Sequence, residues 1–522
     1  MWVFSGTPTF VYSCTKKFKP SMRNLKLLLL VLIITIRGTV CLKGEDIPKR
    51  EFRGAWIHTV GNQQFKSMSA DSIRHLFRTT LDIFEKVGVN AVIFQVRPQA
   101  DAFYISSIEP WSRFLTGEQG LAPDPVWDPL QFIIEESHSR GMELHAWCNP
   151  YRVTSDDKEQ LHPGHLYFKK PEIFKRYGNQ LYFDPGEPES IEHTVKVISD
   201  LVTRYDIDAI HFDDYFYPYP VPFEEFHDDA SFVKYAKGQG FEYWQKGDWR
   251  RNNVTTLIHR LNDTIKAIKP WVRFGISPFG IHRNLKDTPD GSGSNTNGLS
   301  NYEQLFADVP LWLENGWIDY NVPQLYWKIG HPAADYKTLI EWWNNADLKG
   351  HLYIGQNIAT FSEPDPENPQ KTQFEAKMHM GWSLPNVNGN VWWSGWALSR
   401  DSEFIDSLAQ RYQTHPALIP AYTDIDPVKP FRVTGLKRVN NELIWEYDSK
   451  EEAMQEALFY AVYRFPQGVK PNIEDGNYLI KIVNEPRYSL SATPKGRYTY
   501  VITAIDRCRN ESEPSKCLNI NN

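Results

Sequence analysis

The sequence predicts an α/β architecture: a (β/α)8 barrel followed by a small all-β sandwich. Three observations carry that expectation. Between about residues 50 and 415 an apolar strand, a polar loop and an amphipathic helix recur eight times, the repeat of a closed barrel, which an open doubly wound sheet rarely sustains so evenly. On three of the strands the polar residues share one parity and crowd one end. After the Pro-rich joint Pro416 to Pro430 the pattern changes to short alternating runs separated by turn residues, as in a sandwich spanning 428–520.

In order, strand one runs from Phe52 to Val60. The helix after it, Ala70 to Val87, spaces Ile73, Leu76, Phe77, Leu81, Phe84 and Val87 along one face. Strand two is Asn90 to Arg97, with a long loop from Pro98 to Asp128. Helix Pro129 to Arg140 stops at Gly141 and leads to strand three, Glu143 to Asn149. Helix Pro188 to Tyr205 leads to strand four, Asp208 to Pro218. The remaining pairs are helix Arg250 to Ile268 with strand five (Val272 to Phe279), helix Tyr302 to Glu314 with strand six (Tyr320 to Trp327), helix Ala334 to Asn345 with strand seven (Leu352 to Ala359), and helix Gln370 to Met380 with strand eight (Gly389 to Leu398). Helix Ser402 to Tyr412 closes the series. In the tail the runs are Phe431 to Val433, Glu442 to Trp445, Ala457 to Arg464, Tyr478 to Val483 and Tyr498 to Ile505, with Trp445 as the core Trp and Tyr498 or Tyr500 as a tyrosine corner.

The 522 residues carry a net charge of -7, so there is no basic footprint and no nucleic-acid partner is expected. Aromatics make up 14% of the chain, with 18 Trp and 26 Tyr, enough to fill a large core and still offer flat faces to sugar rings. Met22 to Lys26 is a basic start, Leu27 to Ile36 an apolar run, and Arg37 to Cys41 its end. Residues 1–45 therefore read as a signal peptide, too short for a membrane span. Cys41 raises a second possibility, a lipid-modified N-terminal cysteine that would attach the chain to a membrane, although Gly38-Thr39-Val40 before it is a poor match to a lipidation signal. In an exported chain Cys508 and Cys517 are positioned to pair. No cysteine or histidine spacing resembles a zinc site, and no cofactor is expected.

The chemistry concentrates on strand four, which ends in Asp213 and Asp214 among Tyr215, Phe216, Tyr217 and Tyr219. An unpaired buried carboxylate is too unfavourable to serve only as strand filling. Alternation turns His211, Asp213 and Tyr215 inward. It also turns Gln95 and Arg97 of strand two, and His145, Trp147 and Asn149 of strand three, toward the same lumen. Barrel enzymes place their chemistry at this C-terminal end. The ends of later strands add Ser277, Arg283, Gln324, Tyr326, Trp327, Asn357 and Trp396.

Phe52-Arg53-Gly54-Ala55-Trp56, Phe94-Gln95-Val96-Arg97-Pro98, Trp147 to Arg152, His211 to Pro218, Ser277 to Asn284 and Pro323 to Trp327 together resemble the glycosyl-hydrolase-like 10 proteins, over roughly residues 50–415. The resemblance implies a barrel glycosidase of bacterial envelopes, similar in one branch to hydrolases of peptidoglycan strands lacking stem peptides. The tail resembles a fibronectin type III module.

Glycosidases usually use two facing carboxyl groups. Adjacent strand residues diverge, so Asp213 is the expected working group, tuned by Arg97 and His211, with Asp214 bonded locally. Asp101, Glu224 and Glu225 are the loop carboxylates available as a second group. An N-acetylhexosamine polymer offers another route, attack by its own acetamido carbonyl. Trp147, Tyr215, Tyr326, Trp327 and Trp396 are expected to stack sugar rings, and Asn149, Arg152, Gln324 and Asn357 to hydrogen-bond them. Gln95, Asp101, His145, Tyr151, Tyr217, Ser277 and Arg283 complete the substrate-binding set. Two alternatives stand beside hydrolysis of a polysaccharide: a metal-dependent deacetylase using Asp213, Asp214 and His211, and a non-catalytic glycan-binding barrel.

Overall fold

The computed structural model describes residues 48–522, except positions 347 and 451. The leader assigned to residues 1–45, including Cys41 and its lipid, lies outside the described residues. Eight parallel strands close into one barrel: β1 (Phe52–Ile57), β2 (Ala91–Arg97), β3 (Glu143–Cys148), β6 (Ala209–Phe212), β7 (Arg273–Ile276), β8 (Tyr320–Asn321), β9 (His351–Asn357) and β10 (Val387–Trp393). Each pairs with its neighbour in chain order, and β10 returns to β1. A hairpin that the sequence did not announce, β4 (Phe174–Tyr177) and β5 (Gln180–Phe183), folds inside the long loop after β3.

Side-chain parity sorts the core into two layers. Val92, Phe94 and Val96 of β2, Leu144, Ala146 and Cys148 of β3, and Ile210 and Phe212 of β6 pack outward against the helices. Phe52, Trp56, Ile93, Trp147, Ala209, Tyr320 and Tyr353 fill the lumen. Tyr320 can cross it because its neighbour on β7 is Gly275, where a Cβ would lie 2.0 Å from the Tyr320 ring. The helices begin where side chains satisfy their first free N–H groups: Ser69 accepts from Ser72 N, Asp128 from Leu130 N and Gln131 N, and Asp335 from Thr338 N.

Of the boundaries that differ from expectation, three have a plain local cause or consequence. The fourth barrel strand ends at Phe212, so both carboxylates lie just past it. The sixth stops after Asn321, since Pro323 has no N–H to give a ladder. The helix expected from Tyr302 to Glu314 splits into Asn301–Gln304 and Val309–Glu314, because Pro310 needs a fresh start, capped by Asp308.

The tail forms a three-stranded sheet, β11 (Thr434–Val439), β12 (Glu442–Glu446) and β15 (Arg487–Ser489), and a four-stranded sheet of β13 (Ala457–Pro466), β14 (Leu479–Val483), β16 (Arg497–Asp506) and β17 (Leu518–Asn521). Its first strand starts at Thr434, after the predicted Phe431 to Val433. Trp445 is buried against Tyr460, and the Tyr500 hydroxyl meets Thr493 Oγ1 at 3.3 Å. The expected Cys508–Cys517 disulfide is not formed: Cys508 is buried and free, Cys517 exposed and free.

The loop after β16 seals the barrel floor. Arg509, held at φ +67, reaches into the end opposite the carboxylates. There it bonds Glu143 and, at 2.6 Å, Asp208, while Arg273 lies 2.6 Å from Glu143. The sandwich thus supplies a charge that the barrel needs.

Candidate active site

Asp213 and Asp214 lie at the C-terminal mouth, 3% and 2% exposed. Asp213 accepts from Trp147 Nε1 at 3.0 Å and from Asn149 Nδ2 at 3.0 and 3.2 Å. Asn149 is fixed in turn, because its Oδ1 accepts from the backbone N–H of Arg152 at 2.7 Å and of Tyr151 at 3.2 Å. The Arg152 guanidinium donates to Pro98 O and lies over the Tyr215 ring, 4.9 Å from its centroid. Asp214 accepts from Gln324 Nε2 at 3.2 Å and from the Tyr219 hydroxyl. Gln324 also donates to Ser277 O at 2.9 Å. Past the end of β6 alternation no longer dictates direction, so both carboxylates lie at the mouth, with Asp214 bonded locally to Tyr219 as expected.

Their surroundings differ. Burial pushes the Asp213 carboxyl above its usual range, opposed by the Arg152 charge and by the Trp147 and Asn149 donors. Burial and then the Asp213 charge push Asp214 up to about 6, against weaker help from Tyr219 and Gln324. Two buried carboxylates this close do not readily ionise together, and Asp214 is the one with less to hold its charge. Asp214, lifted to about 6, is therefore the member of the pair that takes up a proton more readily as the pH falls.

Aromatic rings wall the space beside Asp213. Trp393 lies 6.2 Å from Trp147, 6.3 Å from Tyr326 at an interplanar angle of 20°, and 6.4 Å from Trp56. His58 sits 5.0 Å from Trp393, its Nδ1 buried without a hydrogen-bond partner. Burial lowers the His58 pKa.

Beneath the mouth a chain of hydrogen bonds runs down the lumen. The Trp56 indole N–H only donates, so His211 Nε2, 3.2 Å away, accepts. His211 Nδ1–H then donates to the Tyr320 oxygen at 3.0 Å, the Tyr320 hydroxyl to His145 Nδ1 at 2.8 Å, and His145 Nε2–H to Glu143 at 2.6 Å. Burial, with His145 nearby, drives the His211 pKa well below its ordinary value. His211 is neutral scaffolding, with Ser277 Oγ 3.0 Å from its Nε2.

Of the expected residues, Trp147, Asn149, Arg152, Tyr215, Gln324 and Tyr326 gather around the two carboxylates. Trp327 packs on Phe279, which meets Tyr219, and so belongs to the rim. Gln95 holds the backbone after β1, accepting from Thr59 N and Val60 N, and Asn357 caps Ala359 N.

Several assignments are corrected. Arg97 does not neutralise Asp213. A register shift between Gln95 and Arg97 turns it aside, onto Glu109 at 2.5 and 2.8 Å. Although burial raises the Glu109 pKa, Arg97 and His193 hold it well below the carboxylate range. Arg152 is the cation that acts on Asp213. Trp396 packs among the helices and donates to His58 O, so Trp393 supplies the ring in the mouth. Tyr151 and Tyr217 lie in the same outer core, Tyr217 against Phe226 and Phe306. Arg283 is bound to Glu303. Among the loop carboxylates, Asp101 is buried beside Gln119, Glu224 holds Gly178 N, and Glu225 pairs with Lys246 and Arg250.

Trp56 and His58 were not expected in the site; Tyr219 belongs to the aromatic cluster expected there, and Trp393 lies at the Trp-rich end of strand eight, where Trp396 was the expected ring. The signal for the first two was present: Phe52, Gly54, Trp56 and His58 share one parity of strand one, the parity that faces the lumen.

A family model described as glycosyl hydrolase-like 10 matches residues 51–374. The chain is 40% identical over 482 residues to glycosyl hydrolase YngK of Bacillus subtilis, covering 90% of this chain and 93% of that protein. It is 34% identical over 367 residues to glycosyl hydrolase DigH of Escherichia coli K12, covering 65% of this chain and 82% of that protein. Among solved structures, the glycoside hydrolase domain of PgaB from Bordetella bronchiseptica aligns with 70% of this chain and 99% of its own, at 10% identity and a TM-score of 0.45, too distant to bear on the reaction.

Proposed function

The chain belongs to the glycosyl hydrolase-like 10 family, and from that premise we propose that this glycoside hydrolase cuts an N-acetylhexosamine-containing polysaccharide of the bacterial envelope, with peptidoglycan glycan strands as the first substrate to try. The observation that carries the reading is the unequal carboxylate pair. Asp213 is oriented by Trp147 and Asn149, and burial with the Asp213 charge lifts the neighbouring Asp214 carboxyl to about 6.

Two neighbouring carboxyls do not flank a glycosidic bond as an acid and an opposed nucleophile do. They suit a sugar that supplies its own nucleophile. Asp213 accepts the acetamido N–H and aligns the carbonyl oxygen toward C1. That oxygen forms a bond to C1 as the glycosidic C–O bond breaks, and Asp214 gives its proton to the departing oxygen. Water then attacks C1, opens the cyclic intermediate and returns a proton to Asp214. The Trp56, Trp147, Tyr326 and Trp393 rings supply an apolar wall for the acetamido methyl group.

The basic-apolar leader and Cys41 support export and attachment to the envelope through a lipid, and the tail is read as a fibronectin type III-like module. The metal-bound deacetylase fares worse, because both ring nitrogens of His211 are engaged in the lumen chain, away from the two carboxylates. Among the described residues no group of three His, Cys, Asp or Glu is arranged to hold a metal.

The test is direct. The purified protein is incubated with peptide-free murein strands, chitin oligomers and plant glycans, and the products are read by mass. Cleavage of the first or second, lost in Asp213→Asn, is the expected result. Binding without product release would favour the non-catalytic barrel, and cleavage of plant glycans alone would overturn the substrate class.

A further inference from the structure

The insertion between β6 and helix Lys246–Ile268 carries more than the carboxylates. Beyond Tyr219 it holds three large rings that face water: Phe223 is fully exposed, Tyr243 is 84% exposed and Trp244 80%. None belongs to the hydrophobic core, and large rings left in water on one insertion are candidates for a binding surface.

They are held in place. Phe223 has φ +66, a backbone region that a bulky residue seldom adopts. The turn around it is braced from β4: Val221 N donates to Tyr177 Oη at 2.7 Å, the Tyr177 hydroxyl to Glu224 O at 3.2 Å, and Gly178 N to the Glu224 carboxylate at 3.1 Å. Tyr243 and Trp244 sit on a turn closed by reciprocal bonds between Glu242 and Gln245, and the Tyr243 ring meets Phe232 at 6.3 Å. The two parts are tied together through Glu225, which lies 2.9 Å from Lys246 Nζ and 3.0 Å from Arg250 Nη2.

The turn that carries Phe223 is linked to the mouth through the β4–β5 hairpin: Val221 bonds Tyr177, Tyr177 and Tyr182 both pack on Phe226, and Tyr182 forms a β-bridge with Arg152, which lies over Tyr215. We infer that Phe223, Tyr243 and Trp244 form a second glycan-binding platform, which stacks sugar rings of the same polysaccharide chain away from the bond held at Asp213 and Asp214. The negative face of an aromatic ring attracts the C–H face of a pyranose, and a polymer held at two places pays the entropy of association once. The platform deepens the glycosidase reading and rests on it: it makes the enzyme one that prefers long strands.

The experiment uses the full chain with Phe223→Ser, Tyr243→Ser and Trp244→Ser combined. All three side chains are exposed, so the melting temperature should match that of the parent. Two readouts are taken. The ratio of kcat/KM on long peptide-free strands to that on tetrasaccharides should fall about tenfold. In an Asp214→Asn background, which reports binding without turnover, the Kd for the strands should rise about tenfold. If ratio and Kd both stay put while the parent cuts glycan, the platform is overturned and the glycosidase reading stands. If the parent neither cuts nor binds strands, both fall. If the parent sediments as a dimer and the triple variant as a monomer, the rings serve self-association and the platform is overturned.

Discussion

Replacing Asp214 by Asn separates what this carboxyl does from what it costs. Unfolded, it titrates near its ordinary 3.8; folded, burial and the Asp213 charge move it to about 6. Between those values the native chain holds a proton that the unfolded chain has released, so stability falls as pH rises through the window and the loss is complete above it. That loss is about 3 kcal/mol for a rise from 3.8 to about 6. Asn cannot ionise, and it keeps both partners: its Oδ1 accepts from Gln324, and its Nδ2 donates to the Tyr219 oxygen, whose hydroxyl hydrogen turns away. The variant should therefore gain on the parent by up to about 3 kcal/mol between pH 4 and pH 7, which is about 3 °C in melting temperature for a chain of this length. Its turnover at pH 6 should drop at least about 100-fold, the usual loss of a general acid. The assay is a pair of thermal melts at the two pH values beside a product assay. A margin between the two proteins that does not change with pH would show that the native carboxyl titrates normally, and undiminished turnover would remove it from the reaction.

Other consequences are as specific. Arg152→Met removes the positive charge that opposes burial at Asp213, so the acid limb of the kcat/KM profile should move to higher pH; an unshifted limb would mean that Arg152 does not act on Asp213. Arg509→Met leaves Glu143 and Asp208 short of a cation in the buried floor, and urea unfolding should report a loss of about 3–5 kcal/mol; an unchanged midpoint would show that the sandwich contributes nothing to the barrel. Dialysis against EDTA should leave turnover intact, whereas a loss restored by a divalent cation would revive the metal-bound reading.

The lumen parity was legible because a strand has a strict period of two and its outer face must be apolar. Val92, Phe94 and Val96 announced which side Gln95 would take. Arg97 broke the rule because one irregular step in the β2–β3 register re-aims every side chain after it, and no residue type marks that step. Trp396 and Trp393 were told apart only by where β10 ends. The Trp-Trp-Ser-Gly-Trp run places Trp393 on the strand and Trp396 on the helical turn after it.

What the amino-acid order settled by itself was periodic or chemical: the eight repeats, the switch to short strands after the Pro-rich joint, and a carboxylate pair too polar for a strand core. What only the folded chain decided was which partners meet across the barrel. That Asp213 receives Trp147 and Asn149 while Asp214 receives Gln324, and that Arg509 closes the floor, depends on residues tens to hundreds of positions apart. Such pairings follow from closure of the sheet, a property of the whole ring of strands that no local window of sequence contains.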